Sequence, residues 1–302
     1  MDQRSVTAPP ERYGVVGQPV AHSRSPYIHA LFAKQIGKSL VYDRHDVASE
    51  NFALYVKDFF KSGGAGLNIT VPHKEAAAEL AEILTPRAAQ AGAVNTLARD
   101  ADGRLLGDNT DGAGLMADLD RLGVSVNQRR VLILGAGGAT RGILAPLLER
   151  APRLIVIANR NVTRAVTLSN KFAALAAGAG CSLVGADYAD LDSHVDEGVF
   201  DLVVHATALG LKGKVPEISA RIIDRHTFVY DLGYGTHDTP FVRWARTQGA
   251  ADAAQGIGML IEQAAESFLL WHGTRPTTGP VHATLQAELA ALRAAELAGK
   301  PV

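Results

Sequence analysis

Apolar positions along this chain follow two alternating rhythms. Short runs at Tyr13–Gly17, Leu40–Val47, Gly66–Val71 and Ala93–Arg99 have the length and composition of strands. Between them, apolar residues recur at helical spacing. Phe52, Val56, Phe59 and Phe60 predict a helix over Glu50–Lys61, Pro26 opens one running to about Ile36, and Glu75–Leu84 reads as a third. Asp100 to Gly103 makes a turn into Leu105 and Leu106, and Asp111–Leu122 reads as a helix leaving this first unit. From Arg130 the alternation resumes. Strands at Arg130–Leu134, Leu154–Ala158, Leu183–Val184, Phe200–Ala206 and Thr227–Leu232 are interleaved with helical stretches such as Val162–Ala177. This order predicts βαβ units and a parallel sheet. Gly256–Trp271 and Val281–Ala298 are two helices with no strand between them, expected to pack back on the first unit.

A length of 302 residues suggests two domains at about 150 residues each. The hydrophobic fraction of 47% and charged fraction of 20% are those of a soluble globular protein with a core. Basic and acidic residues nearly balance, 30 against 31, so the charge points to neither a nucleic-acid partner nor an anionic membrane. One cysteine, Cys181, cannot form an internal disulfide, which fits a cytoplasmic setting; beside Leu183 and Val184 it reads as a buried small hydrophobe. The opening MDQRSVTAPPERYG lacks the apolar segment of a secretory signal, and its first dozen residues read as a tail. No apolar run approaches the length of a membrane span.

The first motif with chemistry is Val131–Leu134 running into Gly135-Ala136-Gly137-Gly138-Ala139. A buried strand, a glycine turn and a helix start are what a dinucleotide pyrophosphate needs, because glycines admit close backbone approach and the helix N-terminus offers unpaired N–H groups. Thr140 stands where the third glycine of that fingerprint falls. At the end of the next strand, an NAD-binding fold carries a carboxylate for the ribose 2′-hydroxyl. Here the residues are Asn159, Arg160 and Asn161, with Arg164 one turn on. A guanidinium attracts a 2′-phosphate that a carboxylate would repel, so NADP is favoured.

The N-terminal region concentrates small polar residues at strand ends: His22 to Pro26, Asn68 to Lys74, Ala93 to Thr96 and Gly107 to Gly112. Ligands of open α/β sheets bind at the carboxyl ends of strands, so these groups can converge on one pocket for a hydroxylated, carboxylated small molecule. Ser25 before Pro26, and Asp111, also suit helix N-caps. His22, His73 and His205 lack a paired ligand spacing, and no metal is expected.

Read in order, G-x-P-x-x-H-S-x-S-P, N-x-T-x-P-x-K, A-V-N-T, N-T-D-G, G-A-G-G-A, N-R-x-x-x-R-A and G-x-G-M-L-x-x-Q-A resemble the shikimate dehydrogenase family from about Tyr13 to Gly273. The resemblance implies a substrate-binding domain over residues 1–110, a Rossmann-like NADP domain over 111–255, and helices over 256–302 returning to the first. It implies a catalytic dyad of Lys74 and Asp111, with the division between acid/base and binding roles open, and a carboxylate clamp of Ser23 and Ser25. Asn68, Thr70, Asn95, Tyr234 and Gln263 would hold the rest of the substrate. Gly135 to Ala139 would take the pyrophosphate, Asn159, Arg160, Asn161 and Arg164 the 2′-phosphate side, and Leu232 and Gly256 the nicotinamide side. The chain departs from the family pattern at His205, Asn161, Pro86 and Gln255. The implied reaction is reduction of 3-dehydroshikimate to shikimate in aromatic amino-acid biosynthesis. A relative that also takes quinate and NAD, a non-catalytic sensor of the same metabolite, and either a monomer or a homodimer stay open at this point.

Overall fold

The computed structural model describes residues 10–297; the ends of the expected N-terminal tail and of the last helix, including Ala298, lie outside them. The first sheet contains β1 (Glu11–Gly17), β2 (Leu40–Asp46), β3 (Gly64–Ile69), β4 (Ile83–Leu84), β5 (Thr96–Arg99) and β6 (Leu105–Asp108). Its helices are α1 (Ser25–Gln35), α2 (Phe52–Lys61), α3 (Lys74–Leu80) and α4 (Pro86–Ala91). Helix α5 (Asp111–Arg121) leads to the second sheet, built from β7 (Arg130–Leu134), β8 (Leu154–Ala158), β9 (Ser182–Ala186), β10 (Leu202–His205), β11 (Phe228–Asp231) and β12 (Asp252–Gln255). With it come α6 (Gly138–Glu149), α7 (Val162–Gly178), α8 (Leu191–Asp196) and α9 (Pro240–Thr247). The chain then forms α10 (Ile257–His272) and α11 (Gly279–Leu297).

The second sheet is wholly parallel in the order β12-β11-β10-β7-β8-β9, with β7 central. Its inner strands are buried on both faces, which explains why Val131–Leu134 and Leu154–Ala158 read as unbroken apolar runs. The order places the glycine turn after β7 at the point where the strand sequence reverses, the usual ligand crevice of such sheets.

The first sheet corrects the expectation of purely parallel pairing. Its order is β2-β1-β3-β5-β6-β4, and β5 runs antiparallel to both β3 and β6. The Asp100–Arg104 turn is the physical reason for the β5–β6 pairing, since strands joined by a tight turn must reverse. A second correction falls in Glu75–Leu84. The helix stops at Leu80, and Ile83–Leu84 pairs with β6 instead. The Glu82 carboxylate and backbone N–H both bond the Leu105 backbone, so a partner more than 20 residues away overrides the local helical pattern.

Helix α10 returns to the first sheet. It packs against α1, with Ile261, Ala264, Ala265 and Phe268 meeting Ile28 and Phe32 in one buried cluster. It also crosses α5 closely, where Gly114 leaves room for Gln263 and the Met259 carbonyl. No helix among the described residues is long and apolar enough to cross a membrane.

Candidate active site

Lys74 begins α3 and Asp111 begins α5. The lysine Nζ lies 2.5 Å from Asp111 Oδ2, and both side chains are largely buried. Asp111 Oδ1 accepts from the Asn95 amide at 2.9 Å, so both carboxylate oxygens are occupied and the group is oriented. A cation is disfavoured at a helix N-terminus; here Asp111 offsets the charge. Neighbouring contacts pin the lysine's turn. Its carbonyl accepts from Val94 N at 2.8 Å, while His73 bonds the Val47 carbonyl through Nε2 at 2.7 Å and stacks on Phe52.

A buried hydrogen-bond network continues from this pair. Asn95 Oδ1 accepts from Thr110 N at 2.9 Å and from Thr96 Oγ1 at 2.8 Å, and its amide also reaches Gln263 Oε1 at 3.1 Å. Thr96 and Ser267 hydroxyls are 2.7 Å apart. Asn68 donates to Ser267 at 2.9 Å and accepts from the Tyr42 hydroxyl at 2.7 Å. Burial pushes the Tyr42 hydroxyl well above the ordinary tyrosine range, and the Ser25 hydroxyl sits beside it. The network therefore runs from Tyr42 through Asn68, Thr96 and Asn95 to Asp111 and Lys74.

Ser23 and Ser25 are buried, with hydroxyls 3.1 Å apart. The expected capping role of Ser25 is corrected: it is already inside α1, Arg24 occupies the cap position, and Ser23 Oγ accepts from Ser25 N at 3.2 Å. Asp111 likewise lies within its helix, with Thr110 at the cap position. Arg44 donates to the Ser23 carbonyl at 2.8 Å, placing a guanidinium behind the serines. Tyr234, on the loop after β11, lies with its ring 6.3 Å from that of His22, beside Ser23, and burial raises its hydroxyl above the ordinary range. The second sheet thus contributes a side chain to the pocket of the first. Thr70 follows β3, and its methyl occupies the space a side chain on Gly17 would need.

The glycine turn adjoins this pocket. Gly135 has φ of +113°, which a side chain would strain, and a Cβ there would meet the Ala206 carbonyl at 3.0 Å. Around Gly137 a Cβ would meet nothing within 4 Å, so the space over the turn is open. A Cβ on Gly138 would lie 3.0 Å from Lys74 Cβ, which brings the start of α6 against the dyad. Thr140, at the third fingerprint position, is buried and donates back to the Gly135 carbonyl at 2.8 Å. An open glycine cradle under a 12-residue helix N-terminus fits a pyrophosphate.

Asn159 is half-buried at the end of β8, while Arg160, Asn161 and Arg164 are exposed. The Asn159 amide donates to the Asn161 carbonyl at 2.9 Å, holding the turn before α7. Arg164 is 3.7 Å from Glu75, next to Lys74, and Arg141 is 3.4 Å from the same carboxylate, so ion pairs bridge α3 to α6 and α7. Gly256 caps α10 against Leu232, whose backbone leaves no room for a side chain there. Gln255 bonds Gly235 through its amide in both directions and fixes the loop that carries Tyr234.

Tyr42 and Ser267 also belong to this network, although neither was expected from the sequence. Ser267 had a readable signal, since it lies one turn beyond Gln263 on α10. Tyr42 had none, because nothing local distinguishes its inward position in β2 from ordinary core.

Three family models match the chain: the shikimate dehydrogenase substrate binding domain over residues 15–97, shikimate / quinate 5-dehydrogenase over 118–209, and the shikimate 5′-dehydrogenase C-terminal domain over 256–286. The shikimate dehydrogenase (NADP(+)) of Methylococcus capsulatus is 51% identical over 92% of this chain and 97% of its own length. That of Alkalilimnicola ehrlichii is 50% identical over 92% and 99%. Among solved structures, the Ael1 enzyme from Pseudomonas putida matches with TM-score 0.79 at 41% identity, covering 91% of this chain and 98% of that one. The Thermus thermophilus shikimate 5-dehydrogenase in complex with NADP(H) and shikimate matches with TM-score 0.75 at 32% identity, covering 89% and 95%.

Proposed function

The chain belongs to the shikimate dehydrogenase family, and on that premise we propose that it reduces the ring ketone of 3-dehydroshikimate to the alcohol of shikimate with NADPH. The observation that carries this reading is the dyad of Lys74 and Asp111 lying against the start of α6 and its glycine cradle. The N-terminal region to about residue 110, with the helices after Gly256, holds the substrate, and residues 111–255 hold the cofactor.

NADPH supplies the hydride when bound. Gly135 to Ala139 and the α6 N-terminus take its pyrophosphate, Asn159, Arg160, Asn161 and Arg164 its 2′-phosphate side, and Leu232 and Gly256 border the nicotinamide. Ser23 and Ser25 donate hydrogen bonds to the substrate carboxylate, and Tyr234 closes over them. Thr70, Asn95 and Gln263 meet the ring hydroxyls, with Asn68 holding their buried support in place. As the ketone carbon is reduced, negative charge gathers on its oxygen. Lys74 carries three N–H groups, and among the described residues only Asp111 accepts from it. Its remaining N–H groups can therefore stabilise that oxygen and deliver its proton. Asp111, with both oxygens engaged, orients the ammonium group. The enzyme works in aromatic biosynthesis in the cytoplasm.

A substrate and cofactor panel tests the reading. Purified protein should reduce NADP with shikimate much faster than it reduces NAD or uses quinate. Strong quinate oxidation with NAD would replace the assignment, and shikimate binding with no turnover under any pairing would make the protein a sensor.

A further inference from the structure

His205 and Asp231 end the adjacent parallel strands β10 and β11 and face each other in register. Both are almost wholly buried. The imidazole Nδ1 lies 2.9 Å from Asp231 Oδ1. A carboxylate only accepts, so Nδ1 carries a proton. At the other end of the ring, Nε2 lies 2.6 Å from Thr207 Oγ1. That hydroxyl also accepts from Leu209 N at 3.3 Å. Phe241 stacks on the imidazole with centroids 4.3 Å apart and holds its plane.

These bonds fix Thr207 in one rotamer. Its methyl then lies 3.2 Å from where a Cβ on Gly135 would stand, next to the Ala206 carbonyl at 3.0 Å. The first glycine of the phosphate turn thus rests on a surface whose position His205 determines. Asp231 extends the same device to the neighbouring loop, since Oδ1 accepts from Gly233 N at 2.9 Å and Oδ2 from Thr239 Oγ1 at 2.5 Å.

We propose that His205 is a positioning residue for the cofactor, acting through Thr207 to hold the turn on which Gly135 rests. The proposal depends on the NADPH reading above. It predicts that the hydroxyl of Thr207 matters to cofactor affinity although it need not touch the cofactor.

The test compares the full-length protein with Thr207→Val, His205→Asn and the double variant. NADPH dissociation constants are measured by titration calorimetry, beside both Michaelis constants and the melting temperature. Thr207→Val preserves shape and the methyl while removing the bond to Nε2. It should weaken NADPH binding about tenfold, the value of one hydrogen bond. The Michaelis constant for shikimate should hardly move, while the melting temperature should fall modestly because His205 Nε2 loses its partner. The double variant should bind NADPH no worse than the weaker single variant, because both substitutions cut the same chain of contacts. NADPH affinity unchanged in Thr207→Val would overturn the proposal while leaving the assigned reaction intact, and so would effects that multiply in the double variant. A wild-type protein that binds no NADPH would overturn both. Thr207→Val keeps the test decisive even where His205→Asn does not fold.

Discussion

Asn68 donates to the Ser267 hydroxyl at 2.9 Å, joining β3 to α10 across 199 positions of sequence. Ser267 is fully buried, and Thr96 meets the same hydroxyl. The contact ties the returning helix to the proposed substrate pocket, because Gln263 sits one turn earlier and reaches Asn95. Ser267→Ala should leave Asn68 and Thr96 short of a partner and cost about 1–3 kcal/mol of stability. It should also raise the Michaelis constant for shikimate while leaving that for NADP near the wild-type value. Urea unfolding and steady-state kinetics check the two parts separately.

Arg160 is exposed at the end of β8, where a 2′-phosphate would distinguish NADP from NAD. Hydrogen bonds to charged groups contribute about 1.5–3 kcal/mol. Arg160→Gln should therefore raise the Michaelis constant for NADP by roughly 10- to 100-fold and leave that for NAD almost unchanged. Equal effects on both cofactors would show that the residue does not read the phosphate.

Asp111→Asn preserves the size of a side chain that both Lys74 and Asn95 bond. It removes the negative charge that orients the ammonium group. Turnover should fall at least ~10-fold, with substrate affinity less affected. Turnover close to wild type would show that Lys74 needs no such partner.

The glycine turn was legible because it is a short motif whose chemistry depends on neighbours in sequence, whereas the pairing of Lys74 with Asp111, 37 positions apart, came only from the family resemblance. Asn68 to Lys74 and Gly135 to Ala139 carry their own turn geometry. The network behind them was less visible. Ser267 and Tyr42 join it through contacts between distant elements, although helix spacing from Gln263 pointed at the first. The fold shows the same division. Strands β7 and β8 stood out as apolar runs because they are buried on both faces. The two-residue β4 was hidden inside a helical pattern, since only its pairing with β6 makes it a strand. The short helix α4, with Thr85 capping it through Ala88 N, had a readable cap and proline that the preceding helical run obscured.

His29 supplies a pH dependence. It lies fully buried between Tyr42 and Phe268, stacked on Tyr42 at 4.5 Å, and among the described residues neither ring nitrogen has a hydrogen-bond partner. Burial lowers its pKa from 6.5 to about 3, against a smaller opposing influence from Asn68. The unfolded chain takes up this proton below pH 6.5 and the folded chain resists until about pH 3. Its stabilising effect is therefore complete above pH 6.5 and is lost as pH falls toward 3, by about 1.4 kcal/mol per pH unit. Urea unfolding at pH 7, 5.5 and 4 (about one and a half units apart) should show a steeper loss for wild type than for His29→Leu. Parallel slopes would mean that the unfolded and folded chains bind this proton alike.

The role of Lys74 is tested most directly by Lys74→Met, which retains much of the apolar stem and removes the ammonium group. Shikimate binding, measured by calorimetry, should persist within about tenfold, because the serines and the Asn95 network remain. Turnover with NADP should fall by roughly 10²- to 10⁴-fold. Turnover within a few-fold of wild type, with binding intact, would contradict the assignment of Lys74 as the proton donor.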